Sequence, residues 1–174
     1  MDLMRKILIS SLLFLSCLWH PAHASEPHPL LPEATAVAPS VEFTRFGFSI
    51  YRAQLWAPGG RYTPGQPFVL SLTYSREIAR ERLLDASLSQ MQKLGAPLDA
   101  QPHWRAELEN VLTDVKQGDT LTGIYRPGQG ADFFYQNKKL GVLSDPLALH
   151  FFSIWLDQRT SEPDLRLALI GQSK

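Results

Sequence analysis

Between Phe43 and Leu169 the apolar residues change spacing in blocks, from a strand-like period near two to a helical period near 3.6, back again, and once more to helical. Strands grouped in this way cannot wind a parallel sheet, because each parallel neighbour needs its own helical crossover. Phe43 to Trp56 reads as one long strand. It has Thr44, Phe46, Phe48 and Ile50 on the face expected to meet a core, and Arg45, Gly47, Ser49 and Tyr51 on the other. Turn signals at Pro58-Gly59-Gly60 and Pro64-Gly65 lead to Phe68–Tyr74, the expected antiparallel partner.

The spacing then turns helical from Ile78 to Leu94, with Gly95 as the stop. A second helix is expected to open at Asp99 or Ala100 and to carry Trp104, Leu108, Val111 and Leu112 on its apolar stripe, ending before Gly118. Asp119 to Arg126, Ala131 to Gln136 and Leu140 to Leu143 form a meander around two tight turns. The last third is helical again, from a cap at Ser144 or Asp145 to Leu156, and from Pro163 to Leu169. The outcome is an α+β domain in which helices cover one face of an antiparallel sheet.

The N-terminus carries a different message. Arg5 and Lys6 precede an uncharged stretch from Ile7 to Trp19, and Ala22-His23-Ala24 supplies small residues at the positions a signal peptidase reads. At about 1.5 Å per residue that stretch reaches about 20 Å, short of a bilayer core of about 30 Å, so a stable membrane span is not expected. Residues 1–24 therefore read as a cleaved signal and the product as periplasmic or secreted. Residues 25–40, with Pro27, Pro29, Pro32 and Pro39, read as a disordered Pro-rich tether, and 41–174 as the folded domain. Cleavage after Ala24 also removes Cys17, the single cysteine. A cysteine-free product suits an oxidising compartment.

Lys+Arg 17 balance Asp+Glu 17, which argues against a nucleic-acid partner. Metal ligation is not expected either, since His28, His103 and His150 are scattered and no His or Asp pair has ligand spacing. Gly128-x-Gly130 precedes a strand rather than a helix, so it reads as a hairpin turn and not as a phosphate cradle. No cofactor is implied.

Several segments in order carry a family resemblance: Arg45 to Trp56 (RFGFSIYRAQLW), Tyr74 to Ile78, Lys116 to Asp119, Gly128 to Phe134 (GQGADFF), Phe152 to Asp157 (FSIWLD), Pro163 to Arg166 and Leu169 to Gly171. Together they resemble the secreted bacterial branch of the chalcone isomerase-like proteins. The resemblance implies an open-faced β-sandwich with a ligand cleft between sheet and helices. It also implies two precedents, ring closure of a chalcone by an intramolecular lyase and fatty-acid binding by non-catalytic relatives. The isomerases' strand arginine has no counterpart in residues 25–44, which contain no Lys or Arg, and Arg45 comes later in the strand. Their strand threonine falls at Phe46, their helix tyrosine at His103 and a lysine at Ala106, while the late Ser or Thr falls near Ile154, beside Ser153. Only the helix asparagine, at Asn110, matches cleanly. No catalytic residue is therefore assigned.

The expected function is non-catalytic binding of a fatty acid or another apolar acid, with Arg45, Tyr51, Asn110, His150 and Ser153 as candidate ligand contacts. The alternatives are a chalcone-type isomerase and a cell-envelope interaction module whose protein partner the sequence does not identify. His150, Ser153 and Asp157 invite a catalytic-triad reading, but they follow one another along one element, with no oxyanion site beside them.

Overall fold

The computed structural model describes residues 28–100 and 102–172. The expected signal segment and Cys17 lie outside them. The elements are β1 (Ala34–Ala36), β2 (Val41–Arg45), β3 (Phe48–Pro58), β4 (Phe68–Tyr74), α1 (Arg80–Lys93), α2 (His103–Val111), β5 (Thr120–Arg126), β6 (Gly130–Tyr135), β7 (Lys138–Leu143), α3 (Asp145–Leu156) and α4 (Pro163–Leu169). All strand pairs are antiparallel, in the order β1-β3-β4-β5-β6-β7, and β2 shares the outer edge of β3 with β1. The expected α+β class, an open antiparallel sheet with helices on one face, is what the chain forms.

Three expectations need correction. The long strand from Phe43 to Trp56 is broken at Phe46-Gly47, where φ is 51° and 78°, into the two-residue turn of the β2–β3 hairpin. Two successive positive φ values match the right-handed twist of the flanking strands, but the usual residues for such a turn are Asn, Asp and Gly. A phenylalanine hides the turn from a pattern search. The break also changes which face is the core: Ala53, Leu55 and Ala57 are buried, whereas Phe46 and Phe48 are exposed.

The tether expected over 25–40 is ordered from His28 onward. The His28 N–H donates to the Ala34 carbonyl at 2.8 Å, and β1 pairs with the far end of β3. Leu31 and Ala34 bury themselves against Val69 and Ile124. Prolines are tolerated here because an edge segment leaves backbone donors facing solvent anyway.

Both middle helices are shorter than their apolar spacing suggests. Ile78 exchanges two backbone hydrogen bonds of 3.0 Å with Val115, a β-bridge that delays α1 to Arg80 and keeps the chain after α2 extended.

The main core lies between the sheet and the helices. Leu55 and Leu70 from the sheet meet Leu84, Leu108 and Leu147 from α1, α2 and α3. Gly123 in β5 allows α3 to come close: a Cβ there would lie 2.7 Å from Cζ of Phe152 and 3.1 Å from Cζ of Phe133.

Candidate functional site

The helices do not close evenly over the sheet. Phe151 and Phe152 of α3 pack edge-on to one another beside Phe133, filling one end of the layer with rings 5.3 to 5.8 Å apart. Toward the β2–β3 hairpin the layer is not filled, and a cavity of about 430 Å³ remains between the sheet, α1, α3 and the start of α4. Its sheet wall is Leu70, Leu72, Leu121 and Tyr74, and its helix wall includes Leu83, Ile154 and Trp155. Strand alternation aims those sheet residues inward, while Leu83 lies on the inward stripe of α1. The volume falls within the range of small-molecule sites, about 300 to 1,000 Å³.

Polar groups divide into two levels. Inside are two phenols from paired strands, Tyr51 and Tyr74, which face one another in register with rings 6.1 Å apart. The Tyr51 hydroxyl accepts a hydrogen bond from Trp155 Nε1 at 3.0 Å. Burial pushes its pKa well above the usual phenol value, and Glu162 adds to this while the Trp155 bond opposes it. Burial does the same to Tyr74, with Tyr51 as a smaller contributor. Both therefore stay protonated at neutral pH and can donate hydrogen bonds. At the rim sit Arg45 from the hairpin, Arg82 and Lys93 from α1, and Glu162 before α4. Arg45 Nη1 and Glu162 Oε1 are 3.8 Å apart, both partly in solvent, so this pair contributes little to stability.

The arrangement can enclose an apolar chain and meet a polar head with hydroxyl donors or a cation. Two of the hydroxyls lining the cavity are already engaged. Ser87 Oγ is occupied with the Leu83 carbonyl at 2.7 Å, and Ser161 Oγ with Gln90 at 3.2 Å. Among the described residues no group of three His, Cys, Asp or Glu could hold a metal ion.

Of the candidate contacts read from the sequence, the structure brings Arg45 and Tyr51 to this cavity and places the other three elsewhere. Asn110 is exposed on α2, with its backbone against Gly141 of β7. The His150 ring lies against Trp104, with centroids 5.3 Å apart, and burial lowers its pKa. Ser153 Oγ donates to the His150 carbonyl at 2.5 Å, one turn back on its own helix, and borders a second hollow with Tyr62 and Arg166. Asp157 is taken by Arg159, whose Nε and Nη2 reach it at 3.0 and 2.9 Å. The triad reading thus has no geometric support. Tyr74, Arg82, Lys93 and Glu162 were not singled out from the sequence. Tyr74 alone carried a usable signal, since it ends the strand that pairs with the one bearing Tyr51.

No protein-family model matches the chain, and no curated protein does. Among solved structures, the crystal structure of a fatty-acid binding protein from Arabidopsis thaliana matches with a TM-score of 0.58 over 84% of this chain and 95% of that one, at 10% sequence identity. That likeness concerns the fold. It shows that the chain has the chalcone isomerase-like architecture its sequence resemblance implies.

Proposed function

We propose that this protein is a non-catalytic carrier or sensor of a fatty acid or similar apolar acid, held with its tail in the cavity between sheet and helices and its carboxylate at Arg45. The single observation that carries this reading is the cavity itself, apolar along its walls, with protonated phenols inside and cations confined to the rim. The solved structure of like fold, a fatty-acid binding protein, supports it. Burying ten methylenes is worth about 8 kcal/mol before association costs, so an affinity toward the micromolar range needs only a modest further contribution from the head group. Secretion to the periplasm or beyond, after removal of residues 1–24, belongs to the same proposal and is supported by the charged start, the apolar run and Ala22-His23-Ala24.

The test is thermal stabilisation by long-chain acids and by the matching alcohols, with native mass spectrometry for co-purified lipid. Acids are expected to raise the melting temperature more than alcohols. Glu162→Gln, which frees Arg45 from its neighbour, is expected to strengthen acid binding a few-fold, and Arg45→Ala to abolish the preference for acids. Ala86→Phe, placed on the α1 wall of the cavity, should block binding without unfolding the chain. Absence of any shift with acids in the parent protein would end the proposal, and decay of chalcone absorbance in its presence would replace it with an isomerase.

A further inference from the structure

The tip of the β2–β3 hairpin sets its residues against both backbone and solvent preference. Phe46 has a φ of 51°, where a bulky side chain is disfavoured and Asn or Gly is usual. It is 88% exposed and Phe48 is 65% exposed, the two most exposed large apolar residues among those described. The ring of Phe46 contacts the guanidinium of Arg45, 5.3 Å from its centroid. Neither the turn nor the core explains a phenylalanine at that position. Strained, exposed groups of this kind point to a surface that the isolated molecule lacks.

The tip also adjoins the cavity lining, which includes Phe43, Arg45 and Ile50 on either side of it. Arg45, next in sequence to Phe46, stands on the rim, and Arg82 and Lys93 stand across from it on α1. Among the described residues Glu162 is the single acidic side chain lining the cavity. A molecule with no formal net charge thus lines one cavity with three cations, Arg45, Arg82 and Lys93, against Glu162, near two exposed aromatic rings.

We propose that the Phe46–Phe48 tip inserts into an anionic phospholipid surface while Arg45, Arg82 and Lys93 engage its headgroups, so that the cavity mouth rests on the bilayer. This rests on the binding of an apolar acid proposed above. The cargo then passes between bilayer and cavity without exposing its tail to water, the step that hydrophobic hydration makes slow. A lipid surface fits better than a protein partner. One ring on the two-residue turn and one on the first residue of β3 make a wedge, not the roughly 1,000 Å² that a specific protein interface buries. Aromatic residues combined with cations are also what an anionic membrane interface attracts.

The experiment is co-sedimentation of the chain, as processed by its expression host, with vesicles of phosphatidylcholine alone or mixed with phosphatidylglycerol. Binding is expected to the anionic vesicles, to be weaker on phosphatidylcholine alone, and to fall as salt is raised. The double variant Phe46→Asn, Phe48→Ser replaces the tip with residues suited to the turn. It should keep the parent melting temperature and the parent affinity for acid in vesicle-free solution, while binding anionic vesicles about tenfold or more less tightly. Lys93→Gln should lower vesicle binding about fivefold. Equal vesicle binding by parent and double variant, or none by either, overturns the proposal. So does a dimer of the parent that the double variant loses, since the tip is then a protein interface. Vesicle binding that depends on the tip, in a protein that takes up no acid, supports docking and overturns the cargo reading alone.

Discussion

The two faces of the sheet are built from the same strands and end in different states. On the helix side Leu55, Leu70 and Phe133 disappear under α1, α2 and α3, within one continuous core. On the other side the only sizeable cover among the described residues is the segment around Leu31 and Ala34, which shields Val69 and Ile124. Beyond that segment the outer face is a ladder of hydroxyls, with Ser71 and Thr122 hydrogen-bonded at 2.8 Å and Thr73 and Thr120 at 3.0 Å. Such cross-strand hydroxyl pairs satisfy one another, whether the bond is buried, as between Ser71 and Thr122, or exposed, as between Thr73 and Thr120. The difference teaches where a ligand can go. A face closed by small local contacts leaves no hollow, whereas a face closed by rigid helices leaves one wherever the helices stand apart.

The contrast breaks first at Gly123. A methyl group there has no room against Phe152 and Phe133, so Gly123→Ala is expected to destabilise by about 2 to 3 kcal/mol in denaturant titration. A loss below about 0.5 kcal/mol would mean that α3 can lift off the sheet, and that the filled end of the layer is as yielding as the cavity end.

On the outer face the expected losses are smaller. Ser71→Ala leaves the buried Thr122 hydroxyl without its partner and should cost about 1 kcal/mol, whereas adding Thr122→Val should restore much of it. If the second substitution instead doubles the loss, the pair matters for packing and not for its hydrogen bond.

The smallest effect concerns acid. Burial lowers the pKa of His28 from its ordinary value of 6.5. Its Nδ1 accepts the Leu30 N–H at 3.2 Å, which a protonated ring could not do. Above pH 6.5 the imidazole is neutral in the folded and unfolded chain alike and adds no pH dependence. As pH falls from 6.5 toward the folded value, the unfolded chain takes the proton first, so attachment of the outer segment weakens. Hydrogen exchange of residues 31–37 should therefore accelerate over that interval while exchange in β4 and β5 does not, and His28→Gln should remove the dependence. Uniform acceleration through the whole sheet would show that the two faces open together.

Much of this was legible beforehand because it rests on local chemistry. The hairpin glycines, the helix stop at Gly95 and the prolines opening the last two helices each act within a turn of chain, and the meander of β5, β6 and β7 follows from alternation alone. Three things were not legible. Phe46 occupies a turn position that its type disguises, so the strand break and the core face of the hairpin were missed together. The ordering of His28 to Ala36 depends on apolar partners more than thirty residues away. The candidate site was half legible: Arg45 and Tyr51 follow from the strand, while His150 and Ser153 share a helix face that turns out to meet Trp104 and a separate hollow.

Sequence by itself determined the class of fold and the type of surface each element would need, because period, turn chemistry and charge are read within a few residues. Which polar groups share a cavity, and that a cavity exists at all, was decided by tertiary packing. Those facts depend on the angle and spacing at which α1 and α3 settle on the sheet, quantities that Phe152 against Gly123 sets across the layer and that neither residue shows alone.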